Sequence, residues 1–214
     1  YTETVPSLEA GSDVATANRT ARPSTRMLGL LNVRYVAAEF PISVEGLREI
    51  SRFGSTYLYE NRDFLPSAWG VGQVEPVEDF EEALNWVQRH DVSQGAAVQN
   101  GSPLNSSDVE AEVTWMRRSP NRLALDVRLN RRGFLLLSQV WYPSWRAEVD
   151  RKQVTLWKAN GVLSGVYLEP GHHSVSLAYR PTWTLIGGCV SMITGIGLGV
   201  IVWRTWIRKG DIPG

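Results

Sequence analysis

Four aromatic side chains lie close together in the chain and could bind a ligand: Trp141, Tyr142, Trp145 and Trp157. Exposed Trp and Tyr rings beside a cation such as Arg146 can stack on a sugar or lie among lipid headgroups. Core packing is the competing interpretation, and it is favoured because Trp145 shares an alternating face with Ala147 and Val149. The aromatic cluster is therefore a candidate contact site for glycan or headgroups, with the protein core as the alternative.

The usual catalytic motifs are missing from the sequence. It has no P-loop, no dinucleotide-binding fingerprint, no Gly-x-Ser-x-Gly and no His-Glu-x-x-His. His172 and His173 are neighbours on a predicted strand, so their side chains point to opposite faces and cannot hold one metal ion together. Cys189 is the single cysteine, which excludes an intrachain disulfide. We expect no catalytic, cofactor-binding or metal-binding residue in this chain.

Four carboxylates cluster at the start of a predicted helix over residues 77–89, where apolar side chains recur at helical spacing. These carboxylates are Glu78, Asp79, Glu81 and Glu82. Acid–base chemistry or a cation site is one interpretation of them. The helix macrodipole gives a simpler reason for acidic residues in the first turn, with Arg89 and His90 at the other end, and it is favoured.

The distribution of charge argues against nucleic acid as a partner. Three of the 22 basic residues and one of the 22 acidic residues follow Thr182, so the part before it has 19 basic and 21 acidic side chains. A part of the chain with this small negative excess lacks the basic surface that binds a phosphate backbone.

Residues 183–203 (WTLIGGCVSMITGIGLGVIVW) contain no charge. A helix of that length is about 31 Å long, which matches the roughly 30 Å hydrocarbon core of a bilayer. Trp183 at one end, and Trp203 and Trp206 at the other, stand where aromatic rings favour the headgroup region. The segment predicts a transmembrane helix.

The basic residues around this segment predict its orientation. Arg204, Arg208 and Lys209 follow the segment, whereas only Arg180 closely precedes it. The positive-inside rule then places residues 204–214 in the cytoplasm as a short tail and residues 1–182 outside a bacterial cell membrane. The chain begins at Tyr1 without a signal peptide, so we expect upstream hydrophobic segments in a longer polypeptide.

Small residues recur every four positions along the apolar segment, at Gly187, Ser191, Gly195 and Gly199. Such a stripe lets another helix approach closely in lipid. We expect it to pack against a transmembrane helix of the same or a partner polypeptide. A lone anchor with chance glycines is the alternative.

Before residue 108 the chain has mixed patterns. Residues 1–25 are polar and predict a linker, and residues 26–107 predict a small α+β segment. Within it, residues 32–38 and 55–59 predict strands, and residues 43–53 predict a short helix because Val44, Leu47 and Ile50 share one helical face. Residues 101–108 (GSPLNSSD) predict a linker.

From residue 108 to residue 182 the pattern alternates. Residues 123–129, 145–149 and 175–179 place apolar side chains at every second position, and residues 134–140 form a continuous apolar run typical of a central strand. Turn residues separate these segments. The fold class predicted is mainly β: an antiparallel β-sandwich of the jelly-roll or immunoglobulin-like kind, preceded by the α+β segment and followed by one transmembrane helix.

Four stretches of the sequence, in this order, carry a family resemblance. They are residues 30–37 (LLNVRYVA), 59–69 (YENRDFLPSAW), 133–150 (GFLLLSQVWYPSWRAEVD) and 159–181, which end in EPGHHSVSLAYRP. Together they resemble the C-terminal part of the bacterial YfhO-type membrane proteins. The chain departs from that pattern at Ser144, Arg151 and Ser67, where the family tends to have Gly, Gly and Arg.

The resemblance implies a polytopic protein similar to GT-C-type glycosyltransferases, which transfer a sugar from a polyprenyl-phosphate donor to cell-envelope glycan. In that class the catalytic carboxylate lies in an early extracytoplasmic loop, so this chain would be a non-catalytic C-terminal region that positions glycan or braces the helix bundle. The alternative is a stand-alone, single-span anchored scaffold that binds glycan or protein, or an accessory subunit of a membrane complex.

Overall fold

A computed structural model of the chain describes residues 22–181, 187–188 and 190–200. Two helices, α1 (Thr25–Leu30) and α2 (Phe80–Arg89), precede the helical residues near the C-terminus. The strands are β1 (Tyr35–Ala38), β2 (Leu47–Phe53), β3 (Thr56–Asn61), β4 (Ala68–Val71), β5 (Gln73–Val77), β6 (Gly95–Gln99), β7 (Leu104–Asn105), β8 (Ala111–Ser119), β9 (Arg122–Leu129), β10 (Gly133–Val140), β11 (Trp145–Val149), β12 (Lys152–Val154), β13 (Trp157–Ala159), β14 (Leu163–Leu168) and β15 (Gly171–Tyr179). The predicted mainly β class is confirmed.

Two larger sheets form the body of the molecule. One has seven strands in the order β4-β10-β14-β13-β6-β5-β7, and the other has five in the order β12-β11-β15-β9-β8. Their pairs are antiparallel except β5 and β6, which run parallel on either side of α2. A parallel pair needs a crossover connection, and the helix predicted over residues 77–89 supplies it.

The two sheets pack face to face. Alternating apolar side chains of β9, β11 and β15 meet those of β10 and β14 in one buried cluster, which includes Leu125, Val127, Leu135, Val166 and Leu177. This arrangement buries the apolar face that the period-2 pattern predicted for β9, β11 and β15.

The opposite face of the seven-stranded sheet is buried as well. Leu30 of α1, Val87 of α2 and Val92 after it cover a second cluster that contains Phe134 and Leu136 of β10. β10 thus has apolar neighbours on both faces, which explains its continuous apolar run and confirms it as an interior strand. The two larger sheets and the two helices therefore form three layers.

The close contact between β10 and β14 depends on Gly165. A Cβ atom at this position would lie 2.3 Å from a ring carbon of Phe134 and 2.8 Å from the carbonyl oxygen of Leu135. Because both neighbours are fully buried, the strand accepts no side chain there.

The predicted helix over residues 43–53 is wrong. These residues include β2, an outer strand of a three-stranded antiparallel sheet with the order β1-β3-β2. Glu49 pairs with Tyr59 and Ser51 pairs with Leu58, so Ile50 is an extra residue in a β-bulge. The bulge breaks the alternation of the strand at Ile50, and Val44 lies before the strand begins, so the spacing of Val44, Leu47 and Ile50 did not reflect a helix.

The sheets also cross the predicted division of the chain. The seven-stranded sheet combines β4 to β7, which precede residue 108, with β10, β13 and β14, which follow it. The predicted linker over residues 101–108 contains β7, a short edge strand paired with β5. Residues 26–107 and 108–182 therefore share one sheet.

Near the C-terminus, residues 187–188 and 190–200 are helical. Gly187, Ser191, Gly195 and Gly199 are all exposed, and a Cβ at any of these three glycines would have no atom within 4 Å. In the part of the chain that the structure describes, no helix is both long enough and apolar enough to cross a membrane. The predicted linker 1–25, span 183–203 and tail 204–214 lie wholly or partly outside the described residues.

Candidate functional site

A groove of about 530 Å³ lies between the β10–β11 connection and the β12–β13 connection. We call it the aromatic groove; its lining includes Trp141, Tyr142, Arg146, Gln153 and Thr155. The structure thus brings together four of the five residues predicted as a contact site, since Trp145 lines it too.

One backbone hydrogen bond and one side-chain hydrogen bond hold Trp141 at the wall of this groove. Its amide N–H donates to the Val162 carbonyl at 2.8 Å, and its indole Nε1–H donates to the Leu156 carbonyl at 3.0 Å. The second bond joins the two connections that border the groove, so the ring is fixed before any ligand arrives.

The aromatic residues divide between core and surface. Trp145 is 6% exposed, belongs to the cluster between the two sheets and packs edge-on against Tyr179 with ring centres 5.4 Å apart. Tyr142 is 54% exposed, with its ring centre 6.1 Å from that of Tyr179. Core packing is thus the finding for Trp145, whereas Tyr142 presents its ring to the groove.

Trp157 lies elsewhere. It packs edge-on against Tyr167, with ring centres 5.9 Å apart, beside the cluster on the helix-covered face of the seven-stranded sheet. Proximity in sequence placed it with the other aromatic residues. However, β13, which carries Trp157, belongs to the seven-stranded sheet, whereas β11, which carries Trp145, belongs to the five-stranded sheet.

Arg146 connects the groove to the outer face of the five-stranded sheet. Its Nη1 donates to the carbonyls of Pro143 at 2.6 Å and of Trp145 at 3.2 Å. Both acceptors are neutral, so these bonds orient the guanidinium without neutralising its charge.

Beyond Arg146 lies a second depression of about 430 Å³, which we call the arginine trough. Its floor consists of the small residues Ala124, Ser176 and Ala178. Cross-strand pairing sets Arg122 and Arg146 on either side of Ala178, and Arg117 next to Ala124. The alternating pattern predicts outward side chains for Arg122 and Arg146, but only the pairing register brings them together.

One histidine makes two hydrogen bonds at the other end of β15. His173 Nδ1 lies 2.7 Å from Asp150 Oδ2, and its Nε2 lies 2.9 Å from the Glu169 carbonyl oxygen. Both partners are acceptors, so both bonds form together only when the ring is doubly protonated. Burial lowers the pKa of His173, but the two hydrogen bonds and the nearby carboxylates raise it above its ordinary value.

A third depression of about 500 Å³ lies at the sheet edge formed by β5 and β7. Trp86 and His90 line it, with their rings stacked 4.5 Å apart. Each ring covers one face of the other, and Trp86 is only half-buried, whereas Tyr142 is 54% exposed. The aromatic groove is therefore the better candidate for sugar contact.

The geometry of these sites favours binding. Among residues 22–181, 187–188 and 190–200, no three His, Cys, Asp or Glu side chains converge as ligands for a metal ion. The groove combines an exposed phenol ring, an indole ring and a guanidinium, which is the chemistry of sugar or headgroup recognition.

Compared with known proteins, the chain matches no family model, no curated protein and no solved structure.

Proposed function

We propose that the chain is a non-catalytic binding module on the outer face of a bacterial cell membrane, held there by a C-terminal transmembrane helix. In this proposal it forms the C-terminal region of a polytopic YfhO-like glycosyltransferase that uses a polyprenyl-phosphate sugar, and it positions envelope glycan. The observation that carries the proposal is the open aromatic groove at the end of the molecule where β15 leads towards the apolar segment.

The composition of the groove supports contact with a polar, ring-shaped ligand. Tyr142 and Trp141 supply aromatic faces, and Arg146, Gln153 and Thr155 supply hydrogen-bonding groups. Sugar rings stack their C–H face on aromatic rings while their hydroxyl groups bond to polar side chains, and a depression of about 530 Å³ has room for a short glycan.

The helical residues near the C-terminus support membrane attachment. Large apolar side chains project from this segment in all directions with 47–67% of their surface exposed: Val190, Met192, Ile193, Ile196, Leu198 and Val200. Leaving such a surface in water costs about 25 cal/mol per Å², so lipid or other helices would cover it at equilibrium. The open side of Gly187, Gly195 and Gly199 offers room for a partner helix.

The size and topology of the native polypeptide test this proposal. An antibody against residues 109–180 should detect, in native membranes, a band far above the 23.9 kDa of this chain. In spheroplasts, added protease should remove the epitope without lysis. A band near 23.9 kDa would contradict the transferase and leave a stand-alone anchored scaffold. Protection of the epitope until lysis would reverse the orientation.

A substitution at Tyr142 tests the groove. Tyr142→Ala should weaken binding to isolated envelope polysaccharide by about fivefold to tenfold, because it removes one stacking ring worth roughly 1 kcal/mol. Tyr35→Ala is the matched control, since Tyr35 is 51% exposed and lies on the three-stranded sheet. Equal affinities for the two variants would remove the groove from the proposal.

A further inference from the structure

Arg117, Arg122 and Arg146 bring positive charge together in the arginine trough. Arg117, Arg122 and Arg146 form no ion pair within 4.0 Å with any residue in the described part of the chain. Glu148 is the one acidic side chain that lines the trough. The trough therefore keeps a net positive charge and donors that an anion could use.

The arrangement of these arginines suits phosphate oxygens. Arg122 and Arg146 flank Ala178 across three paired strands, so their backbones are about 10 Å apart. Their long side chains can close on a group held over the small residues of the floor. Guanidinium groups bind phosphate oxygens with two parallel N–H···O bonds, a geometry that a single lysine does not offer.

The trough lies at one end of the outer face of the five-stranded sheet. The row that contains Arg122 and Arg146 pairs with Ala178 at the end of β15, two residues before Arg180 and five before Trp183. Trp183, at the predicted membrane boundary, follows the end of β15 by four residues, and four residues span at most about 14 Å. At the other end of the same face, Arg128 lies opposite Glu112, and Asp126 stands between the two ends.

We infer that the arginine trough binds the phosphates of anionic phospholipid headgroups and so fixes the tilt of the β-sheet body on the bilayer surface. This inference rests on the proposed membrane attachment. Charge complementarity and the short link to the apolar segment identify the occupant: a negatively charged membrane surface lies within reach of these arginines wherever the segment is inserted. Aromatic residues at the same end, Tyr142 above all, would then lie at headgroup level.

Site-resolved chemical modification of arginine tests the inference on the full chain. The chain is reconstituted in nanodiscs of pure phosphatidylcholine or of phosphatidylcholine with phosphatidylglycerol, and phenylglyoxal modification is followed by peptide mass spectrometry. We expect Arg117, Arg122 and Arg146 to react about fivefold more slowly in the phosphatidylglycerol discs, and high salt to remove most of this difference. Arg128 is the internal control and should change less than twofold, because it lies at the other end of the face.

Matched variants separate lipid binding from simple burial. In Arg117→Gln/Arg122→Gln the protection of Arg146 should fall to the level of Arg128, whereas Arg128→Gln should leave it unchanged. Equal modification rates in both lipids, or protection that survives in the double variant, would overturn the inference.

Two further outcomes are distinguishable. If glycerol phosphate added to pure phosphatidylcholine discs protects the trough as well as phosphatidylglycerol does, the site binds free phosphate and the lipid assignment is overturned. If the chain elutes without lipid from both reconstitutions, the proposed membrane attachment fails and this inference fails with it. Incorporation in both lipids without a difference in rate overturns the inference alone.

Discussion

At the scale of single residues, His173 makes stability depend on pH. Its pKa is raised, so its contribution is complete below the unfolded value of about 6.5 and is lost as pH rises through the folded value. The hydrogen bond from His173 and the Ser174 amide hold the pKa of Asp150 below its ordinary value. The contribution of Asp150 is therefore present above about pH 4 and is lost as pH falls through its folded pKa.

His173→Gln should accordingly lower the free energy of unfolding most between about pH 4 and pH 6.5, by about 1 kcal/mol, because the Asp150 carboxylate is half exposed and solvent screens the pair. Urea titrations at pH 5.5 and pH 9 measure the difference. His172→Gln is the control, since His172 is exposed on the neighbouring position. A loss that is the same at both pH values would show that packing, and not the charged pair, is responsible.

The sequence predicted whether a side chain is buried where the alternation along one strand indicates which side chains face the core. The alternation with Ala147 and Val149 placed Trp145 in the core, and the structure agrees. The grouping of Trp157 with Trp145 relied on distance along the chain, but β13 and β11 belong to different sheets. A β-sheet separates sequence neighbours whenever consecutive strands join different sheets, so this grouping could not be checked without the topology.

At the scale of elements, two acidic side chains at the start of α2 accept backbone hydrogen bonds. The Asp79 side chain accepts a hydrogen bond from the Glu82 amide at 2.9 Å, and the Glu82 side chain accepts one from the Glu78 amide at 2.9 Å. The first bond satisfies an amide that the helix start leaves without an intrahelical partner, and the second ties the residue before the N-cap to the first turn. The structure therefore supplies a local role for two of the four clustered carboxylates.

Asp79→Ala should lower the free energy of unfolding by about 1 kcal/mol, because it removes the N-cap acceptor. Glu81→Ala is the matched control: it lies in the same turn, is exposed and should change stability by a few tenths of a kcal/mol at most through the helix dipole. Thermal unfolding by circular dichroism measures both. Equal losses would mean that charge near the dipole, and not capping, stabilises this helix.

β2 is a strand that local sequence predicted as a helix. A bulge at Ile50 displaces the apolar positions from strict alternation, and the strand is specified by its pairing with β3. The Gly54-Ser55 loop between β2 and β3 carries a positive φ of 61° at Gly54, as the first position of a type II′ hairpin turn requires.

At the scale of the whole molecule, the seven-stranded sheet packs against the five-stranded sheet on one face and against the helices on the other. Leu135 faces the other sheet and Leu136 faces the helices, and both are fully buried. Each Leu→Ala substitution should cost about 2–5 kcal/mol. Because the two residues are neighbours on one interior strand, we expect both variants to shift one shared unfolding transition.

Near-UV and far-UV circular dichroism recorded during the same denaturant titration check this expectation, with coincident curves for wild type and both variants. Ala124→Ser, on the outer face of the five-stranded sheet, is a conservative control that should leave the midpoint nearly unchanged. If Leu135→Ala and Leu136→Ala shift two separate transitions, the layers fold independently and the shared sheet does not couple them.

The sequence by itself determined the mainly β class, the outward and inward faces of β9, β11 and β15, the interior position of β10 and the helix α2. Those features follow from local periodicity, because each strand or helix carries the pattern of its own burial. Only the tertiary structure decided the parallel pair β5–β6, the strand β2 and the sheet that joins residues before and after 108. It also decided that Arg117, Arg122 and Arg146 meet in one trough. Strand partners are chosen by long-range packing and register, which one segment of sequence does not encode alone.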